Sequence, residues 1–461
     1  MSKSYDAIII GAGQAGPPLA GRLTAAGMAV AIVERHLFGG TCVNTGCTPT
    51  KALVASAEVA HQARRAAEFG VRLRGEVSVD MPSVKKRKDS VVAASRDGLE
   101  EWLRGMEHCT VFNGHARFVS PREVRIGDTV IGASRIFINV GGRAAVPPLS
   151  GIDTVPYLTN TSILELESVP RHLLVVGGSY IGLEFAQMYR RFGSEVTVIE
   201  KGPRLIWRED TDVSAAIESI FADEGIQVRT AAECMSFEKD GEQIIARVEC
   251  TAGAPEIAGS HILLAVGRRP NTDDLGLDRA GVATDTHGYI TVDEHLQTSA
   301  PGIWALGDCN GRGAFTHTAY NDFEIVAANL LDGGNRKVSD RIPCYALYID
   351  PPLGRVGLTE AQARQSGRRI RIGNRPMTRV ARAVEKGESK GFMKVVVDSN
   401  NDEILGAAIL GVGGDEAVHS LIDTMSAKAP FTRLRDTVHI HPTVAELIPT
   451  VLGELQPQEP A

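Results

Sequence analysis

One pattern occurs twice in this chain and fixes most of what it can fold into. An apolar strand, Ala7 to Ile10, runs into Gly11-Ala-Gly13-Gln-Ala-Gly16, then a helix from Leu19 to Ala26, then a strand from Ala29 to Val33 that ends in Glu34. The order returns as strand Leu173 to Val176, Gly177-Gly-Ser179-Tyr180-Ile-Gly182, a helix from about Leu183 to Phe192, and strand Glu195 to Ile199 ending in Glu200. The first glycine and the acid are 23 positions apart in both copies. These are the parts of a dinucleotide-binding βαβ unit. The glycines permit a tight turn and close approach to a pyrophosphate, the helix N-terminus faces its charge, and the acid takes ribose hydroxyls. Pro17 and Pro18 fall early in the first helix, where backbone donors are mostly unpaired anyway, although Pro18 is expected to distort the first turn. Ser179 replaces the middle glycine; it is small, and its hydroxyl can donate to a phosphate. Glu200 pairs with a free 2′-hydroxyl and repels a 2′-phosphate, which predicts NADH over NADPH, a preference that Lys201 and Arg204 soften. Two such units in one chain predict two cofactors that exchange electrons.

Just after the first unit comes Gly40-Thr41-Cys42-Val-Asn-Thr-Gly-Cys47-Thr-Pro-Thr-Lys51. Pro49 suits the first position of a helix, where its missing N–H costs nothing. The Ala-rich run from Lys51 to Phe69 contains no Gly or Pro to end that helix. Cys47 is therefore expected at or just outside a helix N-terminus, whose partial positive charge favours a thiolate, with Lys51 as a nearby cation. Such a thiolate can attack a disulfide or close one with Cys42. Taken alone, the pair also fits inert core thiols or an extracellular bridge. Half of a zinc site is the third alternative, but no second Cys pair or local His pair completes four ligands, so no metal is expected.

The remaining features narrow the class. A length of 461 residues predicts more than one domain. With 43% apolar and 23% charged residues and no transmembrane-length apolar run, the chain reads as soluble, with no membrane partner. Its polar opening, MSKSYD, lacks the pattern of a signal peptide. A net charge of −7 argues against nucleic acid as a partner, and the basic run Lys85 to Lys88 reads as a solvated helix face. Seven scattered cysteines suit a reducing cytoplasm, the expected location.

Four more segments complete a pattern: Ile138-Asn-Val-Gly-Gly142-Arg143, Leu264-Ala-Val-Gly267-Arg-Arg-Pro-Asn271, Gly302-Ile-Trp-Ala-Leu-Gly-Asp308 and His439-Ile-His441-Pro-Thr-Val-Ala-Glu446. With the cysteine segment and both glycine loops, they make the chain resemble the class I flavoprotein disulfide reductases. These pyridine nucleotide-disulfide oxidoreductases include dihydrolipoamide dehydrogenase, glutathione reductase and mercuric reductase. The resemblance implies an α/β fold with two Rossmann-like domains. An FAD domain (1–149 and 272–340) would be split around an NAD(P) domain (150–271), followed by a C-terminal α+β dimerisation domain (341–461). It implies a homodimer with FAD and NADH (or NADPH) as cofactors. Cys47 would face the flavin and Cys42 would attack substrate. The partner subunit's His441, oriented by Glu446, would carry the proton. Lys51 and Glu184 match an ion pair beside the flavin, and Asp308 the residue that meets its ribityl chain. Thr41, Gly142 and Gly267 fall in cofactor-binding segments. Tyr180 matches an aromatic that covers the nicotinamide pocket; from the residues alone it also fits a core tyrosine. His441 and Glu446 also fit an ordinary helix start with a capping acid. His439 alternates with His441 along a strand-like stretch and is expected to face elsewhere.

The substrate is less constrained. The mercuric reductase-like reading lacks a C-terminal cysteine pair. Glutathione reductase usually has Lys where Thr50 stands and prefers NADPH. Dihydrolipoamide dehydrogenase agrees with Glu200 and the His–Glu pair. The segment Ala314-Phe-Thr-His317-Thr-Ala-Tyr320 looks closer to the mercuric reductase-related branch, and makes His317 and Tyr320 candidate contacts at the substrate face. The leading expectation is a small disulfide, reactive oxidant or soft acceptor. The alternatives are dihydrolipoamide dehydrogenase, a mercuric reductase without the terminal cysteines, and a flavin electron-transfer protein or redox sensor. An intact proton-carrying pair argues against the last.

Overall fold

The computed structural model describes residues 3–233, 235–249 and 253–458. The first repeat unit comprises β1 (Lys3–Ile10), α1 (Gly16–Ala25) and β2 (Val30–Glu34). It is followed by α2 (Gly40–Thr45) and α3 (Cys47–Arg65). The second unit comprises β3 (His172–Val176), α4 (Tyr180–Phe192) and β4 (Glu195–Ile199). In both units the strands pair in parallel, β1 with β2 and β3 with β4. Each pair is extended on the second strand's side by a later parallel strand, Cys109–Asn113 or Gln227–Arg229. On the first strand's side lie Thr129–Ile138 and His261–Leu264. The two sheets thus repeat one strand order, and in each the glycine loop leaves the C-terminal end of the innermost strand. The duplication seen in sequence is a duplication of topology.

Both helices begin earlier than their apolar periodicity indicates. In α1 the prolines occupy the second and third positions, and the first backbone donor required is Leu19 N, which reaches Ala15 O at 3.3 Å. The prolines therefore cost no ladder bond. The strands bury nearly every residue, as expected of parallel strands covered on both faces. Antiparallel strands Arg268–Pro270 and Gly142–Ala144 pair where the chain passes between the two nucleotide units. A three-stranded antiparallel sheet (235–240, 243–248, 256–259) packs on the second unit. Strand Ile303–Ala305 returns to the first sheet beside Thr129–Ile138. The C-terminal region builds a six-stranded antiparallel sheet whose central strands, Phe392–Asp398 and Ile404–Leu410, are almost wholly buried. No helix among the described residues is long and apolar enough to cross a membrane.

Two local expectations need correction. The basic run lies on helix Met81–Gly105, but it is not simply solvated. Lys88 is buried against Asp89 and Glu165, and Arg87 donates to the Ala52 carbonyl of α3 at 2.8 Å. The stretch around His439 is irregular rather than strand-like, and His439 Nδ1 lies 3.1 Å from Thr437 O.

Candidate active site

A single cleft of about 2810 Å³ runs from the first glycine loop to the second. Gly11, Gly13, Glu34, Thr41, Gly142, Gly177, Ser179, Tyr180, Glu184, Glu200, Gly267, Asp308 and His317 all line it, together with Cys42, Cys47 and Lys51. Gly16 and Gly182 do not line it. They let helix and loop pack: a Cβ on either would fall 2.4 Å or 1.9 Å from the carbonyl oxygen of Gly11 or Gly177. Gly11 and Gly177 hold φ of +102° and +112°, which glycine adopts without strain. The middle positions differ. Ser179 is extended (φ −115°), so a side chain is tolerated. Gly13 has Asn139 Oδ1 3.0 Å from where its Cβ would stand, and Gly40 closes over it.

Each terminal acid turns back onto its own loop. Glu34 accepts from Ala12 N (2.8 Å) and His36 N (2.9 Å), and Glu200 from Gly178 N (2.5 Å) and Gly202 N (2.6 Å). Lys201 lines the cleft. Arg204 does not, because its guanidinium donates to the Trp207 and Glu209 carbonyls.

The cysteine spacing straddles two helices rather than preceding one. Cys42 sits in α2, Gly46 reverses the chain, and Cys47 is the first residue of α3, which makes Pro49 the third. A Cβ on Gly46 would lie 2.8 Å from Thr41 O, so glycine permits this reversal. Both cysteines are free thiols, and each shifts the other's titration. Cys42's thiol, supported by the Thr316 hydroxyl (3.2 Å) and the Lys51 charge, lowers Cys47 to about 6. The same interaction, with burial and the Cys47 charge, raises Cys42. Cys47 is thus the resting thiolate and Cys42 the thiol.

Lys51 Nζ lies 2.7 Å from Glu184 Oε2, while Glu184 Oε1 accepts from Tyr348 N at 3.1 Å. One buried carboxylate on α4 thereby ties the cysteine helix to the C-terminal region. Asp308 is 3.4 Å from Arg268, and burial raises its carboxyl. Asn139 Oδ1 is buried, faces the first loop and has no hydrogen-bond partner among the described residues. This unpaired acceptor, the glycine cradles and the cleft's continuity fit a long dinucleotide such as FAD in the first unit. His317 Nε2 bonds Cys344 O at 2.7 Å, and its ring stacks on Phe315; Tyr320 is exposed and packs edge-on to Phe323.

His441 is not in this cleft. Its Nδ1 lies 3.0 Å from Glu446 Oε2, its side chain is 75% exposed, and exposed Val438 and Ile440 precede it. Thr316, Phe315 and Tyr345 escaped the sequence reading. Phe315 and Thr316 lie in the segment that made His317 and Tyr320 candidates but were not singled out within it, Tyr345 lies in no motif, and the fold brings them to Cys47 and Tyr180.

Comparison with known proteins decides the family. A model described as pyridine nucleotide-disulphide oxidoreductase matches residues 5–322, and its dimerisation domain matches 344–452. The chain belongs to the pyridine nucleotide-disulphide oxidoreductases. The probable pyridine nucleotide-disulfide oxidoreductase RclA of Escherichia coli K12 is 36% identical over 96% of this chain and 97% of its own length. A solved Cu(II) complex of that protein, described as an HOCl-induced flavoprotein disulfide reductase, is 35% identical and covers 98% of this chain and 99% of its own with TM-score 0.89. A Streptomyces lividans mercuric reductase is 34% identical (96% of this chain, 94% of that one), and a Thermus scotoductus dihydrolipoyl dehydrogenase 35% (96% of each). The protein is therefore an FAD-dependent oxidoreductase that uses NAD(P)H, and its dimerisation domain makes it a homodimer.

Proposed function

We propose that this oxidoreductase takes electrons from NADH and delivers them through the Cys42–Cys47 pair to a small reactive oxidant or disulfide. The observation that carries this reading is the asymmetric thiol pair, set between two nucleotide loops in one cleft. Gly11, Gly13, Glu34, Asn139 and Asp308 would hold FAD, with Lys51 and Glu184 beside its ring. Gly177, Ser179, Tyr180 and Glu200 would hold NADH. Bound FAD supplies hydride acceptance from NADH and an electron pair for the cysteine disulfide.

In the reduced pair Cys42 is protonated and needs a base to attack. The Nδ1 of His441 faces Glu446, which favours the proton on Nδ1 and leaves Nε2 free to accept one. The partner subunit's His441 takes the Cys42 proton. Cys42 sulfur then bonds to one substrate sulfur, and the other leaves as a thiolate that this proton neutralises. Cys47 thiolate displaces the second substrate thiolate, which takes a proton from water, and the Cys42–Cys47 disulfide closes. One disulfide gives two thiols, and the cysteine pair ends oxidised.

The domain limits proposed are 1–149 with 272–340, 150–271, and 341–461. Strands of the first sheet at 3–138 and 303–305, and of the second at 172–264, support them. The HOCl-induced relative favours a reactive oxidant over dihydrolipoamide. The test is an NADH-oxidation screen of the purified FAD-loaded dimer against lipoamide, glutathione disulfide, Hg²⁺, quinones and thiol oxidants. Turnover led by reactive oxidants or by small disulfides other than lipoamide, and lost in Cys42→Ser, supports the reading. Turnover confined to lipoamide overturns it.

A further inference from the structure

We propose that Tyr345 is a positioning residue for nicotinamide access: through Tyr180 it sets how readily the cleft admits NADH. The inference rests on the reading of Tyr180 as the cover of the nicotinamide site.

Tyr180 is the first residue of α4, directly after Ser179, so its ring stands at the mouth of the second glycine loop. Two rings enclose it edge-on, Phe315 at 5.9 Å and 81° and Tyr345 at 5.2 Å and 76°. Phe315 also stacks flat on Tyr345 (5.6 Å, 12°). The three rings come from three parts of the chain: the second nucleotide unit, the segment next to Cys47's neighbour Thr316, and strand Cys344–Leu347 of the C-terminal sheet.

Polar groups continue the contact inward. The Tyr345 hydroxyl donates to the carboxylate of Glu209, which is buried just before helix Thr211–Asp223. Arg355 Nε lies 3.4 Å from the other Glu209 oxygen, and both side chains are almost fully buried. At that edge-on contact the Tyr180 and Tyr345 hydroxyls are near enough to share a hydrogen bond. The chain therefore runs Tyr180 to Tyr345 to Glu209 to Arg355.

Its inner end is fixed, because displacing one member of a buried ion pair strands the other without a partner. Its outer end is free to move, because Tyr180 lines the open cleft. The closed ring is thus held by one hydrogen bond and two edge-to-face contacts. A cofactor that enters only when the ring leaves binds more weakly in proportion to how rarely the site is open. Tyr345 thereby sets part of the apparent affinity for NADH without needing to touch it.

The test measures NADH KM and kcat for FAD-loaded Tyr180→Phe, Tyr345→Phe and the double variant. Each single change removes the phenol–phenol bond and keeps the ring. NADH KM is expected to fall about fivefold in each, the worth of one ordinary hydrogen bond, and by more than any change in kcat. The double variant should fall no further, since both changes delete the same bond. A purely architectural Tyr345 would instead raise KM or lower kcat and Tm together. If Tyr345→Phe does not retain FAD, Tyr180→Phe removes the bond without disturbing the buried pair, and its KM decides. KM unchanged or raised, or additive falls in the double variant, overturns the proposal. If Tyr180→Ala also leaves NADH KM unchanged, Tyr180 is not the cover, and the reading beneath the proposal fails with it.

Discussion

Thr316→Val removes the hydroxyl 3.2 Å from Cys47 Sγ and keeps a branched side chain of similar size. Thr316 ranks after Cys42 among the groups that favour the Cys47 thiolate, and ahead of Lys51. A hydrogen bond to a charged acceptor contributes about 1.5–3 kcal/mol, and one pK unit corresponds to about 1.4 kcal/mol. Cys47 is exposed, so screening holds the effect to the low end, about one unit. With Cys47 at about 6, thiolate outnumbers thiol about ten to one at neutral pH; the variant should bring the two near parity. The assay is a pH titration of the two-electron-reduced, FAD-loaded protein, read by thiolate ultraviolet absorbance and by the long-wavelength thiolate-to-flavin band. The sign follows from a lowered pKa: the signal is full above the midpoint and fades as pH falls through it. The parent midpoint should lie near 6 and that of Thr316→Val at about 7. A parent midpoint at the ordinary thiol value of 9.0, or a variant that titrates with the parent, would refute the reasoning.

Three further outcomes are expected. Cys47→Ser should abolish the long-wavelength band, whereas Cys42→Ser should keep NADH-to-flavin reduction and lose disulfide turnover; stopped-flow spectra separate the two. Lys51→Met leaves the buried Glu184 carboxylate with only its Tyr348 N contact, and should cost about 2 kcal/mol in a urea melt, below a fully buried pair because Lys51 is partly exposed. Glu446→Gln removes the carboxylate facing His441 Nδ1 and should slow disulfide turnover about a hundredfold with little change in flavin reduction, checked by comparing the two rates.

The sequence exposed whatever obeys a short-range rule. Glycines at positive φ, an acid at the end of a strand and two cysteines near a helix start carry their geometry in their spacing. That is why both βαβ units and the Cys42–Cys47 pair are legible in the sequence. The middle position of the glycine loop was also informative, though for different reasons in the two copies. Ser179 needs no special backbone angle, whereas Gly13 is held small by Asn139 and Gly40, which lie far along the chain or in the next element. Helix starts were legible only approximately, because apolar periodicity begins after the polar first turn. Lys88 read as solvated because its partner Glu165 is 77 residues away. Tyr345 gave no signal for the same reason, and Thr316, although inside the segment read for His317 and Tyr320, did not stand out, because both are defined by pairings between distant segments.

The two thiols sit in unequal surroundings, and that inequality bears on why the proposed relay would need two subunits. The interaction that favours the Cys47 thiolate also keeps the proton on Cys42, so in the proposed relay each subunit alone has a ready electron-carrying sulfur and an unready attacking one. Two of the imidazoles that line the cleft are engaged with other groups: His317 is committed to the Cys344 carbonyl, where burial lowers its pKa, and His115 lies against the carboxylate and carbonyl of Asp274. The pair with the right chemistry, His441 and Glu446, stands exposed and outside the cleft, beside exposed Val438 and Ile440. An exposed base flanked by apolar side chains suits a surface that a second copy covers. On this argument a monomer would still bind both cofactors and reduce its flavin, yet would stall at Cys42. Weakening the dimer, for example with Ile440→Asp, should therefore abolish disulfide turnover at protein concentrations where NADH still bleaches the flavin.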